Sequence, residues 1–165
     1  MIQVSLQGNK AIKVIPSDTI LIPNILPIFS TTAVTGTTAL TIPVGNVDPI
    51  LSVKVGDTVY NTTNNEIALV GSVASMTINL AASASFTAGA KSIVVYQTPT
   101  AAGGGNTQLN GYIIYVGVTG NVSVVMMDGS TVVFTAVPVG WFQIPVKQVN
   151  ATGTTATSIV AVPYL

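Results

Sequence analysis

Hydrophobic and polar residues alternate with a period of two along most of the chain. The clearest stretch lies in the last third, where apolar residues recur at every second position and turn dipeptides such as Asp128-Gly129 separate the runs. Val, Ile and Thr, which favour strands, make up more than a third of the residues. The pattern predicts an all-β protein, and we find no convincing amphipathic helix in it.

Turn signals divide the chain into a series of short predicted strands. A hairpin opens the chain, with strands at 2–6 and 11–15 around Gly8-Asn9. Residues 23–49 are rich in Pro, Thr and Gly and are expected to hold one or two short strands. The further strands are predicted at 20–22, 39–42, from 50 onward, 53–55, 58–60, 67–73, 76–80, 92–96, 112–118, 122–127, 131–137, 142–146 and 157–162.

The composition changes at two places, which predicts two domains. Residues 99–108 contain three consecutive glycines and no apolar periodicity, as expected of a flexible linker. We therefore predict an inserted β domain at 25–98. Residues 1–24 and 109–165 are expected to form the other domain, which is discontinuous in sequence. Each is predicted to be a small antiparallel β-sandwich or barrel.

Chemically active residue types are scarce. Charged residues make up 6% of the chain, and it contains no His and no Cys. General acids and bases, nucleophiles and metal ligands come mostly from the residue types that are missing or rare here. We therefore expect a protein that is not an enzyme, with no catalytic residues, no cofactor and no metal site.

The charge balance and the hydropathy pattern argue against nucleic acid and membranes as partners. The formal net charge is zero, and the five basic residues are all Lys and form no cluster, so nucleic acid binding is not expected. No apolar run approaches the roughly 20 residues that a membrane-spanning helix needs, and the N-terminus lacks the pattern of a signal peptide. Near-zero charge favours self-association.

Most residues that suggest a site have a simpler structural interpretation. Asp57 and Asp128 follow or precede glycines in turns, where a carboxylate caps backbone N–H groups. A catalytic role for Asp57 would require a distant carboxylate such as Glu66 to join it in a cleft. Gly103-Gly104-Gly105 lacks the Lys and the helix of a phosphate-binding loop.

The aromatic residues of the last third are the best candidates for contacts between subunits. Trp141 and Phe142 are neighbours in a predicted strand and should point to opposite faces. Core or inter-subunit packing is the favoured role, and a platform for a sugar ring is the alternative. The residues predicted to lie in an interface are Trp141, Phe142, Tyr112, Tyr115, Lys147 and Tyr164.

The C-terminal third resembles small β proteins of tailed phages and gene transfer agents, of the head-spike-base or capsid-decoration type. The resemblance covers residues 1–24 and 110–165, and its most specific part is the ATGTTA corner at 151–156. It departs from the family at Lys147, where relatives tend to have Arg, and in the roughly 80 inserted residues. The other matching positions are Asn9-Lys10-Ala11-Ile12, Pro16-Ser17-Asp18-Thr19, Tyr115-Val116-Gly117, Gly120, Val122, Val124, Val133-Phe134, Val137, Gly140, Pro145-Val146, Val149 and Ile159-Val160-Ala161.

The resemblance implies a virion structural protein on the outer surface of a phage head, assembled in the host cytoplasm. Its expected partners are the major capsid protein or other virion proteins, further copies of itself in a trimer or pentamer, and a fibre protein. Two alternatives remain open. The protein could be a tail, baseplate or fibre component, or a carbohydrate-binding adhesive module that presents Trp141, Tyr112 and Tyr115.

Overall fold

The computed structural model describes residues 11–23, 27–98 and 111–164. These residues fall into two compact units, which we name the discontinuous unit (11–23 and 111–164) and the inserted unit (27–98). Both are antiparallel β-sheets, and the described ranges contain no α-helix. The all-β class with two subdomains is therefore confirmed. The predicted strand 2–6, the Gly8-Asn9 turn and the linker 99–108 lie outside the described residues.

The described ranges contain twelve strands and one short 3₁₀ helix. The strands are β1 (Ile12–Lys13), β2 (Pro27–Val34), β3 (Ala39–Thr41), β4 (Thr58–Asn61), β5 (Glu66–Ala74), β6 (Thr77–Leu80), β7 (Lys91–Tyr96), β8 (Tyr112–Val116), β9 (Gly120–Met126), β10 (Thr131–Val137), β11 (Gly140–Val149) and β12 (Val160–Pro163). The 3₁₀ helix spans Pro49–Leu51.

The discontinuous unit is one six-stranded sheet with the order β1-β12-β8-β11-β9-β10. The pairing of β1 with β12, which places Ile12 opposite Ala161, joins the two ends of the sequence in one sheet. Strand β11 is long enough to pair with β8 through its first half and with β9 through its second half. The hairpin β9–β10 turns at Asp128-Gly129, where Gly129 has a positive φ of 94°.

The core of this unit follows from the alternation along β8 and β9. Ile114 and Val116 on β8, and Val122 and Val124 on β9, are completely buried. Because alternate residues of a strand point to one face, these side chains line the same side of the sheet. The other buried apolar residues of the unit are Ile12, Val14, Ile20, Ile22, Tyr112, Ile113, Val137, Val146, Val149, Ala156, Ile159, Ala161 and Val162.

A buried polar network lies just before the ATGTTA corner and is centred on Asn150. The Asn150 side chain donates from Nδ2 to Ser123 Oγ at 3.0 Å, and its Oδ1 accepts from Gln148 Nε2 at 3.0 Å. Gln148 Nε2 also donates to the backbone oxygen of Ser17 at 2.8 Å. Buried polar groups of this kind are stabilising only when they are all satisfied. The network therefore ties the N-terminal turn at 16–18 to strands β9 and β11.

The inserted unit is a six-stranded sheet that curls back on itself. Its order is β2-β7-β4-β5-β6-β3, and an isolated bridge between Thr35 and Thr41 joins the two outermost strands. In that bridge Thr41 N donates to Thr35 O at 2.9 Å, and Thr35 N donates to Thr41 O at 3.3 Å. The bridge leaves little of either edge open near these residues.

The inserted unit has its own core, which consists of apolar side chains and one lysine. The lysine, Lys91, has 2% of its surface exposed, and its Nζ donates to Gly36 O at 2.6 Å and to Gly89 O at 2.8 Å. The two carbonyl oxygens compensate for the cost of removing the ammonium group from water. The fully enclosed apolar residues are Val34, Leu40, Ile42, Val59, Val70, Ile78, Ile93 and Val95.

The predicted strands differ from the observed ones mainly in the first half of the chain. Strand β2 was not predicted, because a bulge breaks its alternation: Phe29 and Thr31 face inward, but the next buried residue is Val34. Ala33 sits in this irregularity with a φ of 57°. A period-two search cannot follow a strand through such a change of phase.

Three short predicted strands are wrong. The strand expected from residue 50 onward is the 3₁₀ helix, which Asp48 caps by accepting from Ile50 N at 3.1 Å. Residues 53–55 lie in a turn held by the Asp57 carboxylate, which accepts from Lys54 N at 2.8 Å. Residues 20–22 form no strand, although Ile22 N donates to Lys147 O at 3.0 Å. Each segment is apolar enough for a strand, but none of the three forms a continuous ladder with a neighbouring strand.

Replacing Asn150 should destabilise the discontinuous unit. In Asn150→Ala the Ser123 hydroxyl and the Gln148 amide lose a buried partner, which we expect to cost about 1–3 kcal/mol of unfolding free energy. Thr157→Ala, an exposed site near the same corner, should change it by less than about 0.5 kcal/mol. Denaturant unfolding measures both variants, and an unchanged midpoint for Asn150→Ala would show that the network is not stabilising.

Candidate interaction surfaces

Large apolar side chains are exposed in two groups. One group belongs to the discontinuous unit and the other to a single loop of the inserted unit. Isolated exposed apolar residues are normal, but clustered ones mark interaction sites. Within the described ranges, the first group is Val118, Met127, Val132, Val133, Val139, Trp141 and Ile144, and the second is Val44, Val47, Ile50, Leu51 and Val55.

Strand pairing places Tyr115 and Trp141 side by side. They are directly opposite each other on β8 and β11, with ring centroids 5.5 Å apart and an interplanar angle of 69°. This edge-to-face arrangement is favourable for aromatic rings. Tyr115 is half-buried, while Trp141 keeps 53% of its surface exposed. The pair forms an aromatic surface that another molecule could cover.

Phe142 points to the other face of β11, as the alternation predicts. It is half-buried, and its ring centroid lies 4.7 Å from that of Phe134 on β10, again edge to face. Phe142 is paired with Ile114, which is completely buried. Its main contacts are therefore within its own unit, and it links β10 to the core face of the sheet.

Tyr112 is not at the surface, so the sequence-based interface set needs correction at this residue. Only 2% of it is exposed, and its hydroxyl donates to Pro23 O at 2.7 Å. Burial raises the pKa of the Tyr112 phenol well above its usual range. Its role is to anchor the N-terminal segment against β8, and it cannot form part of a sugar-binding platform without the unit opening.

Lys147 and Tyr164 are both half-buried. Lys147 lies close to the Asp128-Gly129 turn, and its charge contributes to lowering the pKa of Asp128 after the larger effects of hydrogen bonds from the Ser130 side chain and backbone. The Tyr164 backbone N–H donates to Gly111 O at 2.9 Å. Of the six residues predicted to form an interface, Trp141 is the most accessible, and Tyr115 lies beside it.

The exposed apolar loop of the inserted unit spans residues 43–55, and hydrogen bonds hold it in place. The Asn46 side chain accepts from Thr31 Oγ1 at 2.8 Å and donates to Pro43 O at 3.0 Å. The Asp48 carboxylate accepts from Ser75 Oγ at 2.8 Å, as well as from the 3₁₀ helix. The loop therefore presents its apolar side chains from a fixed backbone.

A shallow cleft runs between this loop and strand β2. Its volume is about 550 Å³, which is within the range of ligand-sized clefts. The lining is partly apolar, but it contains no ionisable side chain. Its lining residues are Pro27, Ile28, Phe29, Ser30, Gly45, Asn46, Val47, Leu51 and Ser52.

The two carboxylates that could have formed an active site lie apart. Asp57 is next to the Thr58–Leu69 pair at one end of the β4–β5 ladder, and Glu66 is paired with Asn61 at the other end. Four residue steps along the strand separate the two positions, or roughly 13 Å. Burial would raise the pKa of Glu66, but hydrogen bonds from Thr87 and Asn61 and the charge of Lys91 lower it overall.

The described residues contain neither a cluster of metal-ligand side chains nor a helix suited to span a membrane. No group of three or more His, Asp, Glu or Cys side chains is close enough to hold a metal ion in the described ranges. In the same ranges, no helix is long and apolar enough to cross a membrane.

The apolar loop is the feature that sequence reasoning missed. The sequence pattern predicts two short strands for these residues, from 50 onward and at 53–55, after a Pro-rich connection. One signal for an exposed loop is present in the sequence. Pro43 and Pro49 lie among its apolar residues, and prolines prevent such a run from joining the hydrogen-bond ladder of a sheet.

Comparison with known proteins supplies no relative. Searches of protein-family models, of curated proteins and of solved structures found no match to this chain.

Asp18 and Asp57 should respond to pH in opposite directions. Hydrogen bonds from the Thr152 backbone and hydroxyl lower the pKa of Asp18, so its stabilising contribution is present above the unfolded pKa and is lost as the pH falls through the folded value. Burial raises the pKa of Asp57, so its contribution is present below the unfolded pKa and is lost as the pH rises through the folded value.

The matched variants are Asp18→Asn and Asp57→Asn. At neutral pH we expect Asp18→Asn to lower the unfolding free energy and Asp57→Asn to raise it or leave it unchanged. Both differences should shrink at about pH 2, where the native carboxyls are largely protonated. Denaturant unfolding at the two pH values measures this, and equal destabilisation by both variants at neutral pH would contradict the assignment.

Proposed function

We propose that this protein is a non-enzymatic structural component of a phage virion, which binds the outside of the capsid or a head vertex through apolar surface contacts. It acts as a capsid-decoration or spike-base protein and works as a homo-oligomer. The single observation that carries the proposal is the exposed, hydrogen-bonded apolar loop at 43–55, taken together with the resemblance of residues 1–24 and 110–165 to such proteins.

The apolar loop supports a binding role because it is costly to leave in water. Val44 is 98% exposed and Leu51 is 78% exposed, although the chain has few charged residues to keep it soluble. Burying apolar surface contributes about 25 cal/mol per Å². A standard protein interface buries about 1,600 Å², which is ample to offset the missing charge-based solubility. A partner surface of matching shape and apolar character would fit this loop.

The described carboxylates support a role without catalysis. Asp18, Asp48 and Asp128 each accept hydrogen bonds from a hydroxyl and a backbone N–H, which lower the pKa of each group. Glu66 is occupied in the same way by Thr87. These groups cap turns and loops, so their chemistry is used to fix the fold.

A second candidate function is carbohydrate binding, and the Tyr115–Trp141 pair favours it. An exposed indole beside a phenol can stack against the apolar face of a sugar ring. The burial of Tyr112 removes one of the three residues expected in such a platform. In this function the protein would be an adhesive part of a fibre or tail rather than a capsid-decoration protein.

Binding to capsids tests the main proposal. Purified protein, mixed with phage capsids that lack it, should sediment with them in a saturable manner. Leu51→Ser removes an apolar contact of roughly 1.5–3 kcal/mol if the loop lies in the interface, which corresponds to a loss of affinity of about tenfold or more. Val118→Ser, at an exposed site of the discontinuous unit, is the control and should sediment like the native protein.

Two further measurements separate the alternatives. Electron microscopy of labelled particles distinguishes a head site from a tail or baseplate site. A glycan array probed with the native protein and Trp141→Ala tests the adhesive function, which predicts binding that the substitution abolishes. Absence of capsid binding together with Trp141-dependent glycan binding would replace the main proposal with the second one.

A further inference from the structure

Strand β10 is a long open sheet edge in the part of the chain that the structure describes. At the other edge of the same sheet, β1 contains only two residues. In the inserted unit, the edge strand β2 begins at Pro27 and its register shifts twice, once beside Pro27 and once at Ala33, and prolines and bulges of this kind protect an edge. Strand β10 has seven residues and pairs with β9 alone. It therefore presents unpaired backbone groups that another strand could use.

The register identifies which backbone groups are free. Met126 N donates to Ser130 O, so residues 126 and 130 form a hydrogen-bonded pair. Such pairs alternate along an antiparallel ladder, and the next ones are Val132 with Val124 and Phe134 with Val122. The N–H and C=O groups of Thr131 and Val133 therefore point away from β9. Within the described residues, no hydrogen bond reaches them.

This edge lacks the features that usually protect an edge strand. Proteins protect such strands with charged side chains, prolines or bulges. The sequence from residue 129 to 146 contains no charged residue, and the first proline after β10 begins is Pro138. A bulge is present only at the far end, where Ala136 has a φ of 51° and donates to Asn121 Oδ1 at 3.1 Å. The first four residues of β10 remain straight and open.

The side chains on this edge are apolar and incompletely covered. Val133 is 50% exposed and Val132 is 36% exposed. Val132 shares a face with Phe134, whose ring packs on Phe142, so Val132 lies at the margin of the core. A strand added at this edge would extend the buried face of the sheet as well as pair with the backbone.

We propose that β10 of one copy pairs antiparallel with β10 of a second copy about a two-fold axis, so that two six-stranded sheets become one. One register uses all the free backbone groups. It places Thr131 of each copy opposite Val133 of the other copy, and Val132 of one copy opposite Val132 of the other. Two-fold pairing is self-complementary, since each strand supplies the donors and acceptors that the other needs. No like charges meet, because this part of β10 carries none.

This inference rests on the proposed assembly function, and it names the partner as a second copy of the chain. It gives a dimer as the building block instead of the trimer or pentamer that the resemblance implies. The apolar loop of the inserted unit supplies no residue to this pairing, so the proposed capsid contact and the proposed dimer use different residues.

The edge is tested with two substitutions at Val133 and a matched control. Val133→Pro removes an N–H that points away from β9, so the β9–β10 ladder is kept. Val133→Lys places a charge at the same site in each copy. Val118→Lys is the control, because Val118 is also 50% exposed and lies in the same unit but not on β10.

Light scattering and native mass spectrometry should show a dimer for the native protein and for Val118→Lys. For both Val133 variants we expect the dissociation constant to rise at least tenfold. Retention of the dimer in both Val133 variants would overturn the β10 pairing while leaving an oligomeric assembly protein in place. A native protein that stays monomeric at about 100 μM would also overturn the pairing, and capsid sedimentation would then test the proposed function separately.

A cross-linking experiment decides the register without relying on those variants. The chain has no native Cys, so an introduced thiol can form a disulfide only with the same thiol of another copy of the chain. Val132→Cys should form a disulfide-linked dimer under mild oxidation, because facing residues of a non-hydrogen-bonded pair are close enough for a disulfide. Val118→Cys is the control. Equal cross-linking of both variants, or none for Val132→Cys, would contradict the proposed pairing.

Discussion

Each sheet of this protein depends on how its edge strands satisfy their backbone hydrogen bonds. A strand at an edge has N–H and C=O groups on one side with no partner in its own sheet. The inserted unit solves this by curling until Thr35 and Thr41 meet. The discontinuous unit closes one side with β1, which comes from the other end of the sequence, and leaves β10 open. The two outermost strands of the inserted unit therefore meet at one bridge, whereas the discontinuous unit keeps one long edge open.

The scarcity of charge changes how the loops and turns are held. Asp18 fixes the corner at Thr152, and Asp48 fixes the apolar loop to the β5–β6 turn through Ser75. Hydroxyl and amide side chains take the other positions, and in the described residues no buried side-chain nitrogen or oxygen lacks a partner. The hydrogen bonds of the hydroxyl and amide side chains position the backbone without placing charge on the surface. The apolar side chains of the loop can therefore be displayed on a well-defined backbone.

These two features give the protein two separate apolar surfaces with different geometry. The edge of β10 is directional, because backbone groups fix the spacing and direction of any strand that pairs with it. The loop at 43–55 has no such pattern and selects a partner by shape and apolar contact. We propose that the first surface binds a second copy of the same chain and that the second binds a different protein.

The sequence alone determined the all-β class and most strands, because β8, β9 and β10 are rich in residues that favour strands and end at clear turns. It also placed Trp141 and Phe142 on opposite faces. Only the tertiary structure decided which segments pair with a neighbouring strand. The bulge at Ala33 interrupts the alternation of β2, so the sequence pattern does not predict this strand. Residues 53–55, which the pattern predicts as a strand, form a turn. The structure also placed Tyr112 inside and Trp141 outside. The physical reason is that alternation records two faces of a strand, but burial and pairing depend on neighbours that are distant in sequence.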